Sequence, residues 1–214
     1  MHIQVAGKRE EVTPGSHICQ LYNQADEAMS VTQSLLKSGL TSEDKCFWAG
    51  PASTAAEVKA LLEKGGPRLR RALASDQVSF ITEKDAFLNN GRFDPYHMVS
   101  AHQTFIAQAT KEGWRTVRCV VDMTWLTRGI ASSRDILKYE AACDAVFTFQ
   151  NAPIVGVFQY DYGKLSGAVV VELLKLHPIA VVGNFIKRNP YYLNSEEYLK
   201  RILRIDRERR NLSL

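Results

Sequence analysis

The chain has 214 residues, 45% of them hydrophobic and 23% charged, with a formal net charge of +4 at pH 7. That length supports one substantial hydrophobic core or at most two small ones, and the composition is that of a globular protein, not a disordered or fibrous one. No apolar run approaches the roughly 18 residues that span a bilayer, and the start, MHIQVAGKREEV, lacks the apolar region of a signal peptide, so a cytoplasmic location without membrane association is expected.

Residues 1–16 read as an N-terminal segment, followed by the stretch HICQLYN (17–23). A helix is predicted from Gln24 to Ser38, capped by Asn23 with Asp26 in its first turn, and Gly39 suits its end. KCFWAG (45–50) is a short buried strand, and Thr54 with Glu57 forms a capping-box pattern for a helix ending at Gly65-Gly66. QVSFIT (77–82) is the next strand. Residues 93–113 form the clearest helix, with Asp94 as cap, Pro95 at the first helical position and an apolar stripe of Met98, Val99, His102, Phe105, Ile106 and Ala109.

A strand from about Arg115 leads into Asp122. Ser132 and Asp135 start a helix carrying Tyr139, Glu140 and Cys143; IVGVFQYD (154–161) is a strand, residues 166–177 a helix, and IAVVGNF (179–185) a last inner strand. NPYYLN (189–194) is a loop, and Ser195 begins a basic helix read over 195–214, which concentrates much of the positive charge in Lys200, Arg201, Arg204, Arg207, Arg209 and Arg210. No aromatic interleaving accompanies that charge, so it reads as a solvated face or connector, and direct nucleic-acid binding is not expected.

Strands alternating with helices imply a single α/β domain over 17–194, a mostly parallel sheet with helices on both faces. Such sheets bind ligands beyond the carboxyl ends of their strands. The polar residues there are Asp122 and Thr124, Tyr160 and Asp161, and Asn184, with His17, Tyr22 and Asn23 before the first helix.

A strand-end carboxylate like Asp122 also suits a nucleotide hydrolase, but a GxxxxGK[ST] loop should then precede the first helix. CQLYNQADEAMS (19–30) stands there instead, without glycine or lysine and with Asp26 and Glu27 where phosphate would need positive charge. No GxSxG, HExxH, CxxC or GxGxxG occurs in a suitable frame, so no catalytic residue is assigned and no enzyme is expected. The four cysteines, Cys19, Cys46, Cys119 and Cys143, read as buried reduced thiols. His17 and Cys19 can present two metal ligands on one strand face, with a third from His97, His102 or His177. A hydrogen-bonded histidine is the preferred reading, and neither metal nor cofactor is assigned.

HICQLY, GLTSEDKCFWAGP, VVDMTW, LKYEAACD, FQYDYGKLSGAVVVELLKLHP and NPYY occur in the order found in MEDS domains, the methanogen/methylotroph sensory domains also present in the dichloromethane-responsive regulator. The resemblance runs from about His17 to Leu199. It implies a RecA/KaiC-like core without a functional P-loop, and a role in sensing small, hydrocarbon-derived metabolites. MEDS domains are usually joined to output modules, and none is recognisable in this sequence. Signalling through a partner and being a piece of a larger sensor are both compatible with that.

Candidate ligand-binding residues are His17, Tyr22, Asp122, Trp125, Glu140, Tyr160, Asp161, His177 and Tyr191. Trp125 can wall a pocket or pack the core. Glu140 and Asp161 can act with Asp122 as a carboxylate set or pair with Arg128, Arg134 or Lys164. His177 suits a helix C-terminus, and Tyr191 can lid a pocket or pack the terminal helix. The resulting expectation is a signal-input domain with a largely apolar pocket at the strand ends, binding a small metabolite and passing the signal to a regulatory protein, with self-association left open. The alternatives are a degenerate RecA/KaiC-like nucleotide-binding ATPase or kinase, and a protein-interaction module without a ligand.

Overall fold

The computed structural model describes residues 2–5, 8–82, 85–86, 88–89, 92–149, 152–183, 185–201 and 204. Eleven strands occur among them: β1 (His2–Val5), β2 (Lys8–Glu11), β3 (Ser16–Tyr22), β4 (Lys45–Gly50), β5 (Val78–Thr82), β6 (Leu88–Asn89), β7 (Arg92–Phe93), β8 (Val117–Asp122), β9 (Ile154–Asp161), β10 (Ile179–Val182) and β11 (Phe185–Arg188). The helices are α1 (Ala25–Thr41), α2 (Ala52–Glu63), α3 (Pro67–Leu73), α4 (Pro95–Lys111), α5 (Ser133–Asp144) and α6 (Gly167–Lys175). Seven strands form the central sheet in the order β11-β10-β3-β9-β8-β4-β5, parallel throughout except β11.

The chain leaves β3 for the β4–β5 side of the sheet and returns through β8 and β9 to β10. Because parallel crossovers are right-handed, reversing the direction of winding moves the helices to the other face. One face is accordingly packed by α1–α3 and the β1–β2 hairpin, with Ile18, Leu35, Leu36, Trp48 and Val120 in its core. The other is packed by α4–α6, with Phe47, Met98, Val121, Tyr139 and Phe158. Strands covered on both faces read as nearly continuous apolar runs, as in β4 and β8, where every residue is buried.

The strongest sequence signals are reproduced closely. Asp94 accepts the amides of Tyr96 and His97 and starts α4, and the Ser132 side chain accepts the Asp135 amide at the start of α5. Four local readings change. The first helix is capped not by Asn23 and Asp26 but one residue later, where Glu27 accepts the amides of Asn23 and Gln24 at 2.9 and 3.2 Å. Helix α2 begins at Ala52, directly after Pro51, ahead of the Thr54–Glu57 pattern. Residues 67–73 form a separate short helix with Pro67 in its first turn.

The stretch 179–185 is not one strand. β10 stops at Val182 and the chain reverses at Gly183, whose φ of +53° falls in the left-handed region glycine tolerates, to form antiparallel β11. Asn184 lies outside the described residues. The terminal helix runs from 195 to 201 with residue 204 also helical, and 205–214 lie outside the described residues. Tyr198 is buried in the core cluster of the α4–α6 face, so this helix is docked through an aromatic anchor.

Candidate functional site

The carboxyl ends of β3, β8 and β9 open onto a cavity of about 620 Å³ on the α1 face. Tyr22, Asp122 and Asp161 are the last residues of these strands, and side-chain alternation points all three toward α1. Asp26, Thr32 and Met29 of α1, Glu57 of α2, Thr124, Gln159 and Lys164 complete most of the wall. Four of these side chains are carboxylic acids and one is an ammonium, Lys164, which lies 2.7 Å from Asp161. The Tyr22 phenol is pushed well above its usual pKa by burial and by the charges of Asp122 and Asp161. The expected pocket was largely apolar; the observed lining mixes apolar surface with charged groups that are mostly carboxylates.

Its floor is a buried amide network. Gln159 Nε2 donates to Gln20 Oε1 at 2.7 Å and to the Ala28 carbonyl at 2.8 Å, while Thr32 Oγ1 donates to Gln159 Oε1 at 3.2 Å. Gln20 Nε2 donates in turn to the Glu27 carbonyl at 3.0 Å. Two glutamines inside otherwise apolar strands thus lock β3, β9 and α1 together and fix the depth of the cavity.

Only Asn23 and Gln24 separate β3 from α1, which leaves no room for a loop that wraps phosphate. Three of the amides at this helix start, which would otherwise attract an anion, are already taken. Glu27 holds those of Asn23 and Gln24, and Asp26 Oδ1 accepts the Glu27 amide at 3.0 Å. The helix dipole is therefore matched by the chain's own carboxylates.

A second polar cluster lies at the opposite end of the strands and on the opposite face. His17, near the start of β3, stacks on His177 with ring centroids 4.0 Å apart. Glu140 Oε2 of α5 stands 3.6 Å from His17 Nε2 and 3.4 Å from His177 Nε2, and Asp144 Oδ1 is 3.7 Å from His17 Nδ1. All four side chains are 0% exposed. Gly156, the register partner of His17, makes the approach possible, since a Cβ there would meet Phe147 at 2.5 Å, and Phe147 packs against His17.

Burial opposes charge on His17, but Asp144 and Glu140 outweigh it and raise its pKa. Burial, and then the neighbouring His17, lower that of His177. Burial alone would raise the Glu140 pKa; contacts with His17 and His177 hold it down at about 2.

The nine residues singled out from sequence therefore do not form one pocket. Tyr22, Asp122 and Asp161 line the strand-end cavity. His17, Glu140 and His177 form the buried cluster, with Tyr160 beside it, its ring 6.0 Å from that of His177. Tyr160 and Asp161 are adjacent in a strand and must face opposite ways. Trp125 packs in the core with its ring 5.0 Å from Phe93 and does not line the cavity. Tyr191 is 73% exposed and borders a separate surface groove with Val171, Leu174 and Leu193. Of the proposed carboxylate set, Asp122 and Asp161 share the cavity while Glu140 lies with the histidines. Sequence reasoning missed Gln159, Thr32 and Asp144 and named Lys164 only as an ion-pair partner, which it is for Asp161; a glutamine in each of two apolar strands was the legible sign of the floor.

Comparison with known proteins agrees with this architecture. The chain is 25% identical over 174 residues to the transcriptional repressor DcmR of Methylorubrum extorquens (strain DSM 6343 / CIP 106787 / DM4), covering 81% of this chain and 62% of that one. The chain thus spans less than two thirds of that relative's length. Its fold is similar to the crystal structure of a KaiC-like protein from Pyrococcus horikoshii OT3, with a TM-score of 0.52 and 11% identity, covering 79% of this chain and 72% of that one. The family model described as MEDS, the methanogen/methylotroph, DcmR sensory domain, matches residues 16–178, and this chain belongs to that family of sensory domains on a KaiC-like α/β frame.

Proposed function

We propose that this protein is a signal-input domain that binds a small cationic or hydroxyl-bearing metabolite in the strand-end cavity and passes the binding event to a regulatory partner. The observation that carries this reading is the chemistry of the site where a RecA-like frame would hold phosphate. Carboxylates occupy three amides at the helix start, and three further carboxylates, Glu57, Asp122 and Asp161, face the cavity. Negative charge repels a triphosphate and attracts an ammonium or accepts hydrogen bonds from hydroxyls. A volume of about 620 Å³ falls within the range of small-molecule pockets. Small amines and alcohols, the polar derivatives of simple hydrocarbons, have the chemistry the wall selects.

Similarity to a transcriptional repressor supports a regulatory output. Asp26, Met29 and Thr32 of the wall all belong to α1, so a ligand that favours one position of α1 would bias whatever surface α1 presents. The site is read as a binding site and not a catalytic one.

The test is a thermal-shift and equilibrium-binding screen of the full chain against small amines, alcohols and magnesium ATP. At least one amine or alcohol should saturate, with affinity reduced at least about tenfold in Asp122→Asn or Asp161→Asn. Saturable ATP binding at physiological concentration, lost in Asp122→Asn, would transfer the protein to the degenerate-nucleotide reading.

A further inference from the structure

Outside the strand-end cavity, the described residues contain one group of histidine, cysteine, aspartate or glutamate side chains whose ligand atoms converge: His17, Glu140 and His177, all within 4.8 Å of one another. We propose that His17 Nε2, His177 Nε2 and Glu140 Oε2 bind a divalent first-row transition metal ion of the zinc type, making this buried cluster a metal site distinct from the ligand cavity.

The spacing is the first argument. Charge-assisted N–H···O bonds are about 2.7–2.9 Å long, and the Glu140 contacts are 3.6 and 3.4 Å. Two ligands that each stand about 2.0–2.2 Å from a tetrahedral zinc ion are separated by about 3.3–3.6 Å. Both observed separations fit a shared ion better than a shared proton.

Ring orientation is the second. The Leu173 carbonyl can only accept, so the 2.8 Å contact places the proton of neutral His177 on Nδ1 and turns its Nε2 lone pair toward Glu140. His17 is turned the same way, with Glu140 on its Nε2 side and Asp144 Oδ1 on its Nδ1 side, although the 3.7 Å to Asp144 is too long for a hydrogen bond. A metal-ligating histidine characteristically directs its other N–H at a carboxylate or a backbone carbonyl. Here His177 has the carbonyl, while His17 faces the Asp144 carboxylate without a hydrogen bond to it.

Satisfaction is the third. His17 Nε2, His177 Nε2 and both Glu140 oxygens are sealed from solvent without a hydrogen bond, and the Tyr160 hydroxyl beside them is in the same condition. Buried polar groups in folded proteins are nearly always paired, whereas a cation coordinated by these atoms would use two imidazole lone pairs and a carboxylate at once. Two imidazoles and one carboxylate suit zinc or ferrous iron better than calcium or magnesium. Because the site has no solvent exposure, the ion would be acquired as the chain folds and exchange slowly afterwards.

The experiment is to unfold the full chain with a chelator, refold it with Zn²⁺, Co²⁺ or no metal, remove loose metal, and measure bound metal by mass spectrometry and Co²⁺ by visible absorption. About one ion per folded chain is expected, with a Co²⁺ spectrum free of thiolate charge transfer and unchanged in Cys19→Ser. Glu140→Gln and His177→Gln should weaken Zn²⁺ binding at least about 100-fold. If those variants fail to fold, the wild-type result still decides. A wild-type chain that refolds fully, as judged by circular dichroism, yet retains no Zn²⁺ or Co²⁺ overturns the proposal. A thiolate band lost in Cys19→Ser, or unchanged metal retention in folded Glu140→Gln, overturns it too. The site shares no residue with the strand-end cavity, so either reading can fail without the other.

Discussion

The two faces of the sheet each enclose a charged cluster, and they satisfy it differently. On the α1 face, Arg118 of β8 is 2% exposed, yet its Nε and Nη2 both lie 2.7 Å from Asp44 Oδ2 and its Nη1 donates to Ser38 Oγ at 2.6 Å. On the α5 face, Glu140 meets its two histidines only at 3.4 and 3.6 Å. Direct contact completes the first cluster. The second is spaced as coordination spheres are. A buried charge is tolerated when its partners are in contact or when an ion joins them; the first arrangement is present at Arg118, and the second is the one proposed at Glu140.

The largest expected effect tests the contact-satisfied side. Asp44→Ala leaves a guanidinium buried without its carboxylate and should cost about 3–5 kcal/mol in chemical denaturation. Added Zn²⁺ should not restore that loss, and its stabilising increment should be the same in Asp44→Ala as in wild type, because the clusters share no partner. An increment that disappears would couple the two faces.

Next comes acid. His102, buried on the α4–α6 face among Phe47, Tyr139 and Phe158, has its pKa lowered from 6.5 to about 4 by burial. Between these values the unfolded chain binds a proton that the folded chain refuses, so stability rises with pH across the window and falls as pH drops through it. The loss attributable to His102 should reach roughly 3 kcal/mol at pH 4 and level off below. Folded His102→Leu should show a shallower acid limb; an unchanged limb would assign the acid sensitivity to other groups.

A smaller effect belongs to the cavity floor. Thr32→Val removes the donor to Gln159 Oε1 and should cost about 1–2 kcal/mol, together with weaker ligand binding if the floor sets the cavity's shape. Smallest is Lys164→Ala. Its partner Asp161 is reached by a largely exposed side chain, so stability should move by less than about 1 kcal/mol. Affinity for a cationic ligand should nevertheless rise, since the one ammonium that lines the cavity among the described residues is gone.

How far the sequence carried depended on whether a signal was local. Asp94, Ser132 and the apolar runs of β4 and β9 specify their elements within a few residues, and the alternating order of strands and helices was enough to place a parallel sheet. The missing phosphate loop was equally legible, because it is an absence within one short stretch. What was not legible was which side chains meet. Tyr160 and Asp161 are neighbours in the chain and separated by the sheet, while His17, Glu140 and His177 are far apart in the chain and in contact. Only the winding of the crossovers brings the end of α5 and the second residue after α6 over the start of β3. His17 and His177 were both visible as candidate ligands; the carboxylate beside them was read as part of a strand-end carboxylate set or as an ion-pair partner, because nothing local marks it as buried.

The central claim is that the strand-end cavity selects against phosphate. It is tested most directly by equilibrium titration of the full chain, wild type against Asp122→Asn, with magnesium ATP and with a panel of small amines and alcohols. The account predicts that an amine or alcohol saturates the wild type and binds Asp122→Asn more weakly, while ATP saturates neither. Saturable ATP binding to the wild type that is lost in Asp122→Asn would contradict it.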